Sequence, residues 1–187
     1  MTLAAGVDVG GTKIDACVAD PRTGEVFARE RIPTLPERGG RAVLDDCVAL
    51  VRQLAESCDL SSVGIGVCEL VDGQGRVTSS VTIDWLGIDV AASFAGVAPA
   101  TVVSDVRAAA LAEARFGAGQ DVSGPWIFVT IGTGISYCLV IDGRPFEGAR
   151  GNAIVVGAPP VELVASGLGL ARAGGRARAE DVLGDPD

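Results

Sequence analysis

Two segments of the sequence repeat one pattern, in which a short apolar strand, a glycine turn that contains threonine and a second strand follow one another. The segments are GVDVGGTKIDACVADPRTG, residues 6–24, and VTIGTGISYCLVIDGRP, residues 129–145. Apolar runs bounded by glycine turns are typical of β-hairpins, and helical patterns accompany both segments. The repeat therefore predicts two similar α/β halves that face each other across a cleft.

The remaining patterns place helices and buried strands between the two hairpins. Apolar residues at helical spacing predict an amphipathic helix over 41–58, and apolar runs predict strands over 62–71 and 100–105. An alanine-rich helix follows, with Ser104 as its N-cap and Gly117 near its C-terminal end.

Charge and residue usage exclude several classes of protein. The net charge of -9 disfavours partners with phosphate backbones and anionic membrane surfaces. The five cysteines are widely spaced and form no CxxC pair, which indicates free thiols and a cytoplasmic location. No signal peptide or membrane span is expected, and without histidine any general base must be a carboxylate, a cysteine or Lys13, the only lysine.

The first glycine turn, DVGGTK, is a candidate phosphate site. Glycines at positions 10 and 11 let backbone N–H groups approach an anion closely. The Thr12 hydroxyl and the Lys13 ammonium add donors, and Asp8 can hold Mg²⁺, with water between them. The alternative is an ordinary hairpin in which Gly10 and Gly11 supply positive φ angles.

The second glycine turn, TIGTGIS at 130–136, is a weaker candidate by itself. Taken with the first turn, it predicts that two hairpins hold different phosphates of one nucleotide. The alternative is again a plain hairpin turn.

Asp105 stands at a strand end and a helix start, where the sites of α/β proteins gather. A carboxylate at this point can accept the proton of a hydroxyl group that attacks a phosphoryl group. The alternative is helix capping by Ser104 and Asp105.

Five stretches occur in an order that resembles the ROK family (repressor, open reading frame, kinase). They are GVDVGGTK, GIGV, SDVRAAALAEARFGAG, VTIGTGI and LVIDGRPFEGARG, and the likeness covers roughly residues 3–158. Kinases of this family include bacterial glucokinases and belong to the sugar kinase/actin-like ATPase superfamily. The resemblance implies an α/β, RNase H-like fold with two mixed-sheet lobes around a cleft. The lobes would be residues 1–103 and 104–187, the second incomplete.

The resemblance also implies a function, which is ATP-dependent phosphorylation of a hydroxyl on a sugar or sugar-like polyol. Asp105 would be the catalytic base, Ser104 and Asp105 would contact the substrate, and Asp8 would hold Mg²⁺. The implied nucleotide-binding residues are Asp8, Gly10, Gly11, Thr12, Lys13, Gly132, Thr133 and Gly134. ATP and Mg²⁺ are the expected cofactors, with no zinc. A homodimer is possible, and a DNA-binding repressor is not expected, because the phosphate turn begins at residue 8.

The chain departs from the family pattern at several positions. Ser104 replaces an asparagine, and Cys68 and Glu69 replace Pro-Gly. Val155 and Ala158 stand where a sugar-contacting Glu and His are expected, and PPVELVASGLG replaces the zinc motif. These departures suggest a substrate other than a common hexose. They leave open a non-catalytic, truncated or degenerate member that binds a ligand or a partner chain, or an ATPase in which Asp105 orients water.

Overall fold

The computed structural model describes residues 2–132, 134–151, 153–156, 164–175 and 177. Its architecture is α/β, with a five-stranded sheet followed along the chain by a four-stranded sheet. The predicted pair of α/β units is therefore present. The division of the chain into lobes at 103/104 stays a prediction.

The first sheet has the order β3-β2-β1-β4-β5. Its strands are β1 (Leu3–Val9), β2 (Lys13–Ala19), β3 (Val26–Pro33), β4 (Leu60–Val67) and β5 (Ala100–Ser104). The first three form an antiparallel meander, whereas β4 runs parallel to β1 and β5 runs parallel to β4. The carboxyl ends of β1, β4 and β5 consequently meet at one edge of the sheet, the position at which such sheets bind ligands.

Helix α1 (Gly40–Leu54) covers one face of this sheet. Alternation along the strands directs Val9, Ile14 and other apolar side chains into the same core. The helix ends four residues before the predicted end at 58, because the Ala55 N–H closes the last turn on Val51 and a tight turn to Cys58 follows. Short 3-10 helices span Pro36–Arg38 and Ala91–Phe94.

The second sheet is built around β7 (Ile135–Ile141). Strand β6 (Trp126–Ile131) pairs with one edge of β7, and β8 (Arg144–Pro145) and β9 (Ile154–Val156) pair with the other. Asp142 and Gly143 take φ angles of 50° and 71°, which confirms the predicted two-residue turn after β7.

Helix α2 (Asp105–Phe116) joins the two sheets. Its residues Val106 and Ala110 pack with Cys138 and Val140 of β7. The predicted cap is wrong in one respect: Ser104 has the backbone of an N-cap, but its side chain makes no capping hydrogen bond. A short helix, α3 (Gly167–Ala173), follows the second sheet, and none of the described helices has the length and apolar character needed to cross a bilayer.

Candidate functional site

Two carboxylates meet at the carboxyl edge of the first sheet. Asp8 lies near the end of β1, and Asp105 follows β5 directly. Gly66 of β4 pairs with Asp8 and lies between them: a Cβ added there would be 3.8 Å from Asp8 Oδ1 and 3.5 Å from Asp105 Cα. The missing side chain at position 66 leaves one space open to both carboxylates. Sequence reasoning did not assign Gly66 to the site, although a glycine inside a strand is a signal of close approach.

The surroundings of both carboxylates disfavour their charged forms. The pKa of Asp105 is raised above its ordinary value, mainly by burial and also by the charge of Asp8. A hydrogen bond from the Val106 N–H at 2.6 Å lowers this pKa, but by less. Asp8 keeps an exposed surface, yet burial of its carboxylate and the charge of Asp15 raise its pKa, and Lys13 and Arg31 lower it less. Burial is the largest cause at both carboxylates and a neighbouring carboxylate adds to it, so both groups are better proton acceptors than ordinary aspartates, and a cation nearby would favour their charged forms.

The first glycine turn is held from behind by Thr34. Its backbone N–H donates to the Thr12 carbonyl at 3.2 Å, and its hydroxyl donates to the Gly10 carbonyl at 2.7 Å. The Gly10 N–H donates to the Lys13 carbonyl at 3.0 Å. Within the described residues, the Gly11 and Thr12 N–H groups have no partner, so they are the donors this turn can offer to an anion.

Gly11 is needed for a reason other than the positive φ angle that an ordinary hairpin would require. Neither Gly10 nor Gly11 has a positive φ angle. A Cβ at Gly11 would instead lie 2.8 Å from Thr82 Cγ2, so close approach by residue 82 requires a glycine. The Gly-Gly pair thus serves the packing of the turn rather than its handedness.

Lys13 is exposed at the start of β2, and its ammonium forms no ion pair with the described part of the chain. The cations of the neighbouring strand β3 are engaged elsewhere, because Arg29 and Arg31 both bind Asp15. Hydrogen bonds from Arg29 and Arg31 lower the pKa of Asp15 to about 2, against its burial. Lys13 is consequently the cation of this turn that is available to a ligand.

The second glycine turn joins β6 to β7, as predicted. The Gly132 N–H donates to the Gly134 carbonyl at 2.9 Å, and the Gly167 N–H at the start of α3 donates to the Gly132 carbonyl at 2.7 Å. Thr133 lies outside the described residues. That this turn and the first hold one nucleotide stays a prediction.

The predicted substrate residues are only partly described. Ser104 is buried at 3% exposure, and its hydroxyl has no hydrogen-bond partner in the described chain. Val155 lies in β9 opposite Tyr137, and Ala158 lies outside the described residues. The described residues also contain no group of three or more His, Cys, Asp or Glu that would cage a metal ion.

Known proteins resemble this chain in sequence. The model of the ROK family matches residues 4–173. The glucokinase of Streptomyces coelicolor is 33% identical over 175 residues, which cover 90% of this chain and 52% of that protein. The chain therefore spans about half the length of the Streptomyces glucokinases that it matches.

Two solved structures share the fold. A ROK family glucokinase from Streptomyces griseus, in complex with glucose and AMPPNP, superimposes with a TM-score of 0.81 at 32% identity, over 91% of this chain and 59% of that chain. An inorganic polyphosphate/ATP-glucomannokinase from Arthrobacter superimposes with a TM-score of 0.76 at 29% identity, over 93% and 72%. These similarities confirm the predicted α/β fold of the RNase H-like, actin-like ATPase type.

Proposed function

Because the chain belongs to the ROK family, we propose that it serves in ATP-dependent phosphorylation of a hydroxyl group on a sugar or sugar-like polyol. The observation that carries this proposal is the pair Asp8 and Asp105, which meet across Gly66 at the carboxyl edge of the sheet. The glucokinase from Streptomyces coelicolor and the glucose and AMPPNP in the structure from Streptomyces griseus support the same reaction class. ATP as the donor fits the cytoplasmic location that the sequence predicts.

Asp105 is the proposed general base. Its Oδ1 is occupied by the Val106 N–H, which orients the carboxylate. The raised pKa makes the group a better proton acceptor than an ordinary aspartate. It would take the proton of the attacking hydroxyl, and positioning with charge neutralisation would supply most of the rate.

The first turn is the proposed site for one phosphate of the nucleotide. The free N–H groups of Gly11 and Thr12 and the ammonium of Lys13 are its donors. The second turn, with Gly132, Thr133 and Gly134, is the proposed site for another phosphate.

Asp8 is the proposed protein ligand for Mg²⁺. Mg²⁺ is usually held by one or two carboxylates together with substrate phosphates and waters, so a single carboxylate beside a phosphate turn fits this ion. Burial and the charge of Asp15 raise its pKa, and a bound cation would favour the charged carboxylate. Bound with the nucleotide, Mg²⁺ would neutralise charge on the transferred phosphoryl group.

Several departures from the family pattern fall on residues that would contact the acceptor substrate. Ser104 has replaced an amide by a short hydroxyl, which removes donors and acceptors from the first contact to a sugar hydroxyl. We therefore propose a polyol or modified sugar rather than a common hexose as the acceptor.

The proposal is tested by titration calorimetry with Mg²⁺·ATP. We expect saturable binding to the wild-type chain and a loss of about tenfold or more in Lys13→Ala, because a charge-assisted contact to phosphate disappears. No binding at millimolar ATP would overturn the nucleotide site. Asp105→Asn then tests the base, with at least a hundredfold loss of turnover expected and Asp45→Asn, on the exposed face of α1, as the control.

A second candidate function is a non-catalytic interaction module, which the exposed apolar face of β6 favours. Ile127, Val129 and Ile131 alternate along this strand and are exposed at 59%, 51% and 70%. Apolar side chains aligned on an edge strand favour association with another chain. The partner that we propose is a second copy of this chain, which gives a homodimer.

A further inference from the structure

Glu69 is a buried carboxylate at the same edge of the sheet as Asp8 and Asp105. It lies two residues after β4 and is 2% exposed. Its carboxylate accepts hydrogen bonds from the backbone N–H groups of Val81, Thr82 and Ile83 at 3.0, 2.6 and 2.9 Å. The Ser79 hydroxyl donates to it as well. One side chain therefore collects four donors from a single loop, residues 79–83, which we call the wall loop.

The carboxylate of Glu69 stays ionised in this position. Burial alone would raise its pKa, but the hydrogen bonds from Ser79 and from the three backbone N–H groups lower it further than burial raises it. Ser79 also accepts the Leu70 N–H at 2.8 Å, so the loop is tied to Glu69 and to the residue that follows it. An ionised acceptor with this many donors is among the stronger buried polar arrangements.

The wall loop reaches the first glycine turn of the proposed site. Thr82 Cγ2 would be 2.8 Å from a Cβ on Gly11, so the loop rests directly on the first glycine turn. Thr82 and Asp105 both influence the pKa of the Cys68 thiol, which burial and the charges of Glu69 and Asp105 raise to about 12. The loop thus contacts the turn that would hold phosphate.

We propose that Glu69 is a positioning residue, which holds the wall loop against the first glycine turn and so fixes the phosphate-binding geometry of that turn. This inference rests on the proposed function for its ligand, but its structural part stands separately. Glu69 stands where the resemblance to the ROK pattern leads us to expect glycine, which has no side chain to hold a loop.

The first test is hydrogen–deuterium exchange of the full chain carrying Glu69→Gln. The amide replaces one acceptor oxygen with a donor that faces backbone N–H groups, which leaves buried donors unpaired. We expect faster exchange in residues 79–83 and also in residues 10–13, which Glu69 does not touch. The matched control is Asp20→Asn, since Asp20 is 4% exposed and accepts the Arg22 N–H at 2.8 Å at the opposite end of β2. That variant should loosen only residues 20–25.

Unchanged exchange in residues 10–13 of Glu69→Gln would overturn the inference. If this variant does not fold, Ser79→Ala decides instead, because it removes one of the four donors and leaves the others. Faster exchange at 79–83 and 10–13 in Ser79→Ala supports the inference, and an effect confined to 79–83 overturns it.

The second test is the Kd for Mg²⁺·ATP, compared with the melting temperature of each variant. We expect Glu69→Gln to weaken binding about tenfold and Asp20→Asn to leave it within about twofold, even where both melt at lower temperature. Equal Kd values for Glu69→Gln and the wild-type chain would reduce Glu69 to a structural role. If the wild-type chain does not bind Mg²⁺·ATP, the proposed function fails, and the exchange experiment alone decides the inference.

Discussion

Asp105 combines a property that serves catalysis with one that opposes folding. Burial and the nearby charge of Asp8 raise its pKa in the folded protein. The folded state therefore binds the proton more tightly than the unfolded state, and the ionised carboxylate destabilises the fold near neutral pH. Such conflicts between stability and activity are common at active sites.

Asp105→Asn should accordingly stabilise the protein while it abolishes the proposed base. The asparagine carbonyl can still accept the Val106 N–H, and the buried charge is gone. We expect a higher melting temperature near neutral pH, because the cost of burying the charged carboxylate is removed. The gain should shrink as the pH falls through the raised pKa of Asp105, since the wild-type carboxyl then becomes neutral too. A lower melting temperature near neutral pH would contradict this account, and Asp45→Asn should change little.

The site residues that sequence reasoning found differ in kind from those it missed. Asp8, Lys13 and Asp105 carry charge in local motifs, so a single stretch of sequence identifies each of them. Gly66 and Thr34 act through partners that are distant in sequence: Thr34 bonds Gly10 across two strands, and Gly66 separates residues of β1 and α2. Such roles follow from strand register, which no local pattern fixes.

The first three strands form a meander that one carboxylate ties together. Asp15 of β2 binds Arg29 and Arg31 of β3, on the face opposite the core. The hydrogen bonds to the arginines lower its pKa to about 2 from an ordinary value of 3.8. The interaction therefore contributes stability above the ordinary pKa and loses it as the pH falls toward about 2.

Asp15→Asn should lower the melting temperature near neutral pH by a few degrees at most, because both arginines are more than half exposed and the solvent screens their charge. The difference between variant and wild-type chain should narrow between pH 3.8 and about 2. Thermal melts followed by circular dichroism across this range measure it. A difference that persists unchanged at the acidic end would mean that packing, rather than the ion pairs, accounts for the loss.

The first glycine turn and the wall loop form a second contact between elements, which a substitution and its rescue can test. Gly11→Ala would place a Cβ 2.8 Å from Thr82 Cγ2, so the turn or the loop must shift. We expect weaker binding of Mg²⁺·ATP and a lower melting temperature. Thr82→Ser deletes the clashing methyl group and keeps the hydroxyl, so the double variant should recover most of both properties. Failure of this rescue would mean that residue 11 is constrained by something other than Thr82.

Elements with strong local patterns were predicted well, and their ends less well. The strand–turn–strand segments and the helix after Asp105 were confirmed. In these segments the hydrophobic periodicity and the turn residues indicate the same elements. The strand predicted over 62–71 runs instead over Leu60–Val67, because Glu69 turns away to hold the wall loop. The function of a buried glutamate after a strand depends on a loop ten or more residues away, which hydrophobic periodicity does not reveal.

The two hairpins of the repeat differ in what lies beside them. In the first sheet, β1 has β2 on one edge and the parallel strand β4 on the other. In the second sheet, β6 has β7 on one edge, and the described residues provide no strand for the other. The inner side of β6 packs with α2 through Trp126 and Phe128, whereas its outer side exposes a row of apolar residues. Within the described residues, β1 is thus paired on both edges, whereas β6 is paired on one edge.

An open, apolar edge strand should make the chain associate with itself. We expect sedimentation velocity to show a concentration-dependent dimer that Val129→Lys weakens at least tenfold, because the charge must be buried against an apolar partner. Val26→Lys is the matched control, since Val26 is 53% exposed on the edge strand β3 and Val129 is 51% exposed on β6. A dimer weakened equally by both substitutions would place the interface elsewhere. A chain that stays monomeric throughout would remove the argument for an interaction module, and the phosphotransfer site would then be the single function that the fold supports.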